Sequence, residues 1–182
     1  ERVSTTRLVR AVTGHDGLQS VARFDPVFDP RFERLVIHGV RVIRNGVARD
    51  EGRPEAFEMM RRELNLERAI YDGRVTAHMI IPDLREGDIV DCCYSVTGEQ
   101  PSLRGAFSWF FILQWSTRTV ETICRVIARP DQKMLMRRYA GAPAPLVGDS
   151  NGRRIYTWRV RGGDPYLPEP FAPAWSVGFK AV

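Results

Sequence analysis

Between Asp88 and Thr97 the chain alternates, with Val90, Cys92, Tyr94 and Val96 on one parity and Ile89, Asp91, Cys93 and Ser95 on the other. A strand sends successive side chains to opposite faces, so the first set forms one buried face with Cys92 inward. A single half-buried strand needs neighbours and a second layer over its apolar face. The same period returns from Arg118 to Arg129, where Val120, Thr122, Cys124, Val126 and Ala128 align. It returns again from Arg153 to Arg161, where Tyr156, Trp158 and Val160 oppose mainly Arg and Thr. Phe107 to Trp115 is apolar on both parities, which predicts a central strand covered on both sides. On that reading Trp109 belongs to the core, and Trp109→Ala costs about 3–5 kcal/mol.

The other segments follow the same logic. Arg2 to Thr13 reads as a first strand, His15-Asp16-Gly17 as a turn, and Leu18 to Phe28 as a second strand broken by Pro26 and Pro30. Glu33 to Arg44 carries Leu35, Ile37, Val40, Val42 and Ile43, and Asn45-Gly46 predicts a tight hairpin into a return strand at Val47. Pro54 to Arg68 mixes periods and reads as a short helix. Val75 to Ile81 is a strand ending at Pro82, followed by a polar turn from Asp83 to Gly87. Lys133 to Tyr139 reads as a short strand and Ala140 to Gly152 as an exposed loop. Asp164 to Trp175 interleaves four prolines with Tyr166, Leu167, Phe171 and Trp175. Proline removes ladder donors while the aromatics need cover, so this is an extended segment packed on a sheet, leading to a short strand from Ser176. The expected fold is mainly β: an antiparallel β-sandwich or two curved packed sheets, with at most one short helix, in a single domain over 1–182.

Composition narrows the function classes. The net charge is +5, and the positive charge is almost all arginine, since Lys133 and Lys180 are the only lysines. The arginines are scattered and not gathered into an arm or stripe, so solvated strand faces explain them and a nucleic-acid partner is not expected. No apolar run approaches the ~18 residues of a membrane span. Cys92, Cys93 and Cys124 make an odd count without a CxxC pair, so neither a disulfide framework nor a metal site is expected. Adjacent Cys92 and Cys93 point to opposite faces of a strand and do not share a metal.

The ordered features resemble a bacterial β-rich domain family of unknown function that precedes transglutaminase-like domains. The match runs through Leu35 to Asp50, Leu66 to Tyr71, Arg129-Pro130, Trp158 and Glu169 to Pro173. Its best piece is Pro82-Asp83-Leu84-Arg85-Glu86-Gly87-Asp88, where Gly87 suits a turn and Asp88 can bond local amides as the next strand begins. The resemblance implies a β-sandwich and an accessory domain without catalytic residues of its own. Its partner is an adjacent transglutaminase-like domain in the same chain, and its compartment is periplasmic or envelope-associated. On this reading, residues 1–182 are a piece of a larger chain, and an exposed apolar patch is expected where the neighbour docks.

The residues suggest one binding site of their own. Tyr166, Phe171 and Trp175, with Arg159 and Arg161 nearby, form a candidate groove for a glycan or an extended peptide, because aromatic faces stack on sugars and arginine forks hold carboxylates. Intramolecular packing explains the same aromatics. A thiol nucleophile from Cys92, Cys93 or Cys124 with His15, His38 or His78 competes with the simpler reading of cysteines as small buried hydrophobes. Asp83, Glu86, Asp88 and Asp91 are candidates for Ca²⁺ or acid–base work, against turn capping and solvation. No cofactor is expected, and the chain is read as a non-enzyme.

Overall fold

The computed structural model describes residues 2–61, 73–167, 170–171 and 178–182. Their contacts divide into two compact units, 1–107 and 108–182, within the span expected as one domain.

In the first unit, β1 (Val3–Ala11), β8 (Ile89–Gly98), β4 (Glu33–Arg44) and β5 (Val47–Asp50) form an antiparallel sheet in the order β1-β8-β4-β5. A second sheet is centred on β7 (Val75–Ile80), which pairs with β2 (Arg23–Phe24), β3 (Val27–Phe28) and β6 (Glu58–Arg61). The two sheets meet over one core: Val40, Val42, Val90 and Cys92 from the first, and Phe24 and Met79 from the second. That is the expected sandwich, and Cys92 points inward, fully buried. Phe24 fixes the packing through edge-on contacts with Phe57 and Tyr94, 6.1 and 5.8 Å between ring centres.

One detail of β4 decides its faces. The register against β8 slips between Ile37 and Gly39, leaving His38 as the extra residue of a bulge. Leu35 and Ile37 share one parity and Val40 and Val42 the other, so the slip lets all four face the same layer.

The helix lies elsewhere than expected. His15–Ala22 is an eight-residue helix, α1, at positions read as a turn and the start of a strand. Tertiary packing overrides the Gly17 turn signal: Val21 is buried and Leu18, one turn before it, packs on the same core. Asp16 sits in the first turn, where the helix dipole favours it. The Arg10 guanidinium donates to the carbonyls of Ser20 and Arg23, each at 3.0 Å, and ties down the other end. The predicted helix over Pro54 to Arg68 is not found in its described part, which is one 3₁₀ turn at Pro54–Ala56 followed by β6. Residues 62–68 lie outside the described residues.

The second unit holds a three-stranded sheet in the order β10-β11-β9, from β9 (Thr119–Ala128), β10 (Leu146–Ser150) and β11 (Arg153–Gly163). Trp158 and Cys124, buried as their alternation predicted, pack with Leu113 and Ala142. Three expectations need correction. Phe107 to Trp115 is not a central strand. It is an extended segment tied to the chain's end through Phe111 and Val182, which exchange backbone bonds of 2.8 and 3.0 Å. Only Leu113 is fully buried, whereas Trp109 is 48% exposed, so Trp109 is not the core tryptophan. The segment's two-sided apolarity serves two aromatic clusters, Trp109–Phe111–Trp158 and Tyr139–Phe110–Phe179. Lys133 to Tyr139 contributes a single bridge, Tyr139 to Ala181, and no strand. The supposed loop Ala140 to Gly152 contains β10, joined to β11 by Asn151-Gly152 with φ of 50° and 68°. The strand expected from Ser176 starts outside the described residues, and its described end makes bridges at Ala181.

Candidate functional site

Two places gather charged or aromatic side chains: the turn before β8 in the first unit, and the region of Arg159 to Phe171 in the second.

The turn Pro82 to Asp88 is organised by an arginine from β4. Asp88 is 1% exposed, and its two carboxylate oxygens accept from Arg44 Nε and Nη2, each at 2.8 Å. Asp88 Oδ2 also accepts from the backbone N–H of Arg85 at 2.8 Å. The same guanidinium reaches Asp83, donating to its carbonyl at 2.6 Å and to its carboxylate at 3.2 Å. The Arg44 guanidinium holds the Asp88 carboxyl down at about 2, against the penalty of burial. Asp83 is likewise lowered, by hydrogen bonds from Arg85 and Arg44. Asp91, on the outer face of β8, is lowered by a two-pronged bond from Arg7 at 2.8 and 2.7 Å. Carboxylates so saturated with arginine are neither open cation ligands nor acids near neutral pH. Among the described residues no group of three or more His, Cys, Asp or Glu side chains is placed to hold a metal ion.

Cys92 and Cys124 are buried, and Cys93 is half-buried. Burial pushes the Cys124 thiol up to about 12 and also raises that of Cys92. The described histidines that make side-chain bonds are engaged with oxygen partners: His38 Nε2 lies 2.7 Å from Ser95 Oγ, and His78 Nδ1 lies 2.6 Å from Asp25 Oδ1. Ser95 Oγ is in turn 2.8 Å from Thr5 Oγ1, so this polar chain links β4, β8 and β1 across the outer face of the sheet.

In the second unit, Arg159 and Arg161 project from the face of β11 opposite Trp158. Both donate to Glu121 Oε1 on β9, at 3.2 and 2.8 Å, and Arg161 is the main cause that lowers the Glu121 carboxyl. Tyr166 is half-buried and packs edge-on against Phe179 at 5.6 Å, while its N–H donates to the carbonyl of Trp115 at 2.8 Å. Phe171 is fully exposed, with φ of 65°. Trp175 lies outside the described residues. No hydrogen bond, ion pair or ring contact among the described residues joins the two arginines to Tyr166 or Phe171. The arginines belong to a sheet face and Tyr166 to an aromatic cluster. Glu121, the group that orders both arginines, was not singled out in the sequence, and only the β9–β11 register reveals it.

The chain belongs to the domain family of unknown function DUF3857, which matches residues 1–166. Its fold is similar to part of the crystal structure of a Parabacteroides distasonis protein described as a candidate protease, with a TM-score of 0.80 and 17% sequence identity. The likeness covers 98% of this chain and 35% of that one, so the chain spans about a third of the length of that protein. No curated protein matches the chain in sequence.

Proposed function

We propose that this domain is a non-catalytic accessory module of a larger, envelope-associated bacterial protein, and that it positions or presents substrate to an adjoining transglutaminase-like, cysteine-protease-like domain. The observation that carries the reading is the coverage: nearly the whole chain overlays about a third of a protein described as a candidate protease. Two physical features support it. The buried thiols of Cys92 and Cys124 are held protonated, which is the wrong state for a nucleophile. Large apolar side chains stand exposed in the second unit, among them Trp115, Val120, Leu135 and Leu167, and an adjoining domain would give them cover.

The test is an immunoblot of soluble and envelope fractions of the source cell with antibody raised to this domain. A band well above 20.8 kDa in the envelope fraction is expected. A soluble band at the mass of the domain itself overturns the proposal.

A further inference from the structure

We propose that the outer face of the three-stranded sheet, with the edge of β9 away from β11, is a docking surface for an extended protein segment that alternates carboxylate and aliphatic side chains. The face is read directly from the register. Ile127 opposes Ile155, Arg125 opposes Thr157, Ile123 opposes Arg159 and Glu121 opposes Arg161. Ile123 and Ile127 are 46% and 61% exposed, and Leu146, which pairs with Thr157 from β10, is 74% exposed. A sheet face left to water ordinarily reads polar, and among the described residues nothing covers these aliphatic side chains.

The charge on the face is lopsided. Four arginines, Arg125, Arg153, Arg159 and Arg161, share it with one carboxylate, Glu121. Glu121 is taken up by Arg159 and Arg161, and among the described residues Arg125 and Arg153 form no ion pair. Arg125 and Arg153 flank the Ile127–Ile155 pair, so this face carries positive charge beside aliphatic surface, while the other face of β9 presents Val120 and Val126. Because a strand turns successive side chains to opposite faces, the complement at the β9 edge is a segment whose carboxylates lie on the arginine face and whose aliphatic side chains lie on the Val120 and Val126 side.

Three other occupants fit less well. The face bears no aromatic side chain, the platform that bases and sugars stack on. An anionic lipid surface matches the charge but offers nothing to a strand edge. Among the described residues β9 pairs only with β11, so its other edge presents backbone donors and acceptors that a polypeptide strand satisfies.

The test is fluorescence anisotropy with the 182-residue chain and a labelled decapeptide of alternating glutamate and valine, beside a lysine–valine peptide and vesicles containing phosphatidylglycerol. The acidic peptide is expected to bind at least tenfold more tightly than the basic one. Arg125→Glu with Arg153→Glu is expected to abolish that preference, with far-UV circular dichroism checking the fold. Glu121→Gln removes the face's one carboxylate and frees two arginines, so it should tighten binding severalfold; a merely structural role for Glu121 gives no gain. Equal affinity for the two peptides, retention of the preference in the double variant, no gain with Glu121→Gln, or capture by the vesicles without binding of the acidic peptide each overturns the proposal. The measurement uses the domain itself, so it succeeds or fails separately from the question of the larger chain.

Discussion

Asp88 shows how one residue can hold a signature in place. Its carboxylate is buried yet ionised, because Arg44 and the Arg85 N–H supply what water would have supplied. Removing the charge leaves Arg44 facing a neutral amide, although Arg44 keeps its bonds to Asp83. Asp88→Asn should therefore lower stability by about 3 kcal/mol, measured as a shift in the urea midpoint at constant slope. The same pair makes stability depend on pH, and the sign is set by the lowered carboxyl. Above the ordinary value of 3.8 the group is ionised in both states and its contribution is complete. As pH falls from there to about 2, the unfolded chain takes up the proton first, and the contribution drains away. Asp29, Asp83, Asp91 and Glu121 are lowered by their arginines too, so they add loss in the same direction. Urea titrations between pH 6 and 2.5 should show a shallower decline for Asp88→Asn than for the parent. Parallel declines would show that Asp88 is not a source of the acid sensitivity.

At the scale of elements, what was legible in the sequence is what local pattern dictates. The period-two faces of β8, β9 and β11 and the Asn45-Gly46 hairpin follow from side-chain alternation and from residues that accept positive φ. Asn151-Gly152 carries the same hairpin signal, and weighing it would have turned the supposed loop into β10. The parity change between Ile37 and Val40 likewise marks the bulge at His38. What local pattern does not encode is pairing at a distance. The helix α1 exists because Leu18 and Val21 meet strands far along the chain, and Arg44 meets Asp88 only through the fold. The candidate groove meets the same limit: nearness in sequence set Arg159 and Tyr166 together, whereas the fold gives Arg159 the partner Glu121 and Tyr166 the partner Phe179. One contact of this long-range kind makes a sharp prediction. Gly98 ends β8 with φ of 142°, and a Cβ there would collide with the carbonyl oxygen of Phe32 and stand 2.9 Å from Glu33 Cα. These are backbone atoms of the neighbouring chain segment and have no rotamer to change. Gly98→Ala should cost about 2–3 kcal/mol in thermal or urea unfolding, and a cost below about 0.5 kcal/mol would mean the β4–β8 pairing there is looser than described.

At the scale of the molecule, the two units have separate apolar centres. The first gathers Val12, Phe24, Val40, Met79, Val90 and Cys92, and the second gathers Leu113, Cys124, Ala142 and Trp158. The second is the smaller, and it leans on one side chain. Trp158 is 3% exposed and stacks with Phe111 and Tyr156, at 6.4 and 6.5 Å between ring centres. Truncating a buried indole removes its transfer free energy and opens a cavity beside Leu113, Cys124 and Ala142. Trp158→Ala should cost about 3–5 kcal/mol. Because the side chains it packs and stacks with lie within residues 108–182, that loss should fall on one unit. Hydrogen exchange can see this directly, since local and sub-global openings report separate free energies along the chain. In Trp158→Ala, amides of β9 and β11 should exchange on the order of a hundredfold faster or more, while those of β4 and β8 keep their protection. If β4 and β8 lost protection in step, the chain would unfold as one cooperative body, and the single-domain reading of the sequence would be the better description of its energetics.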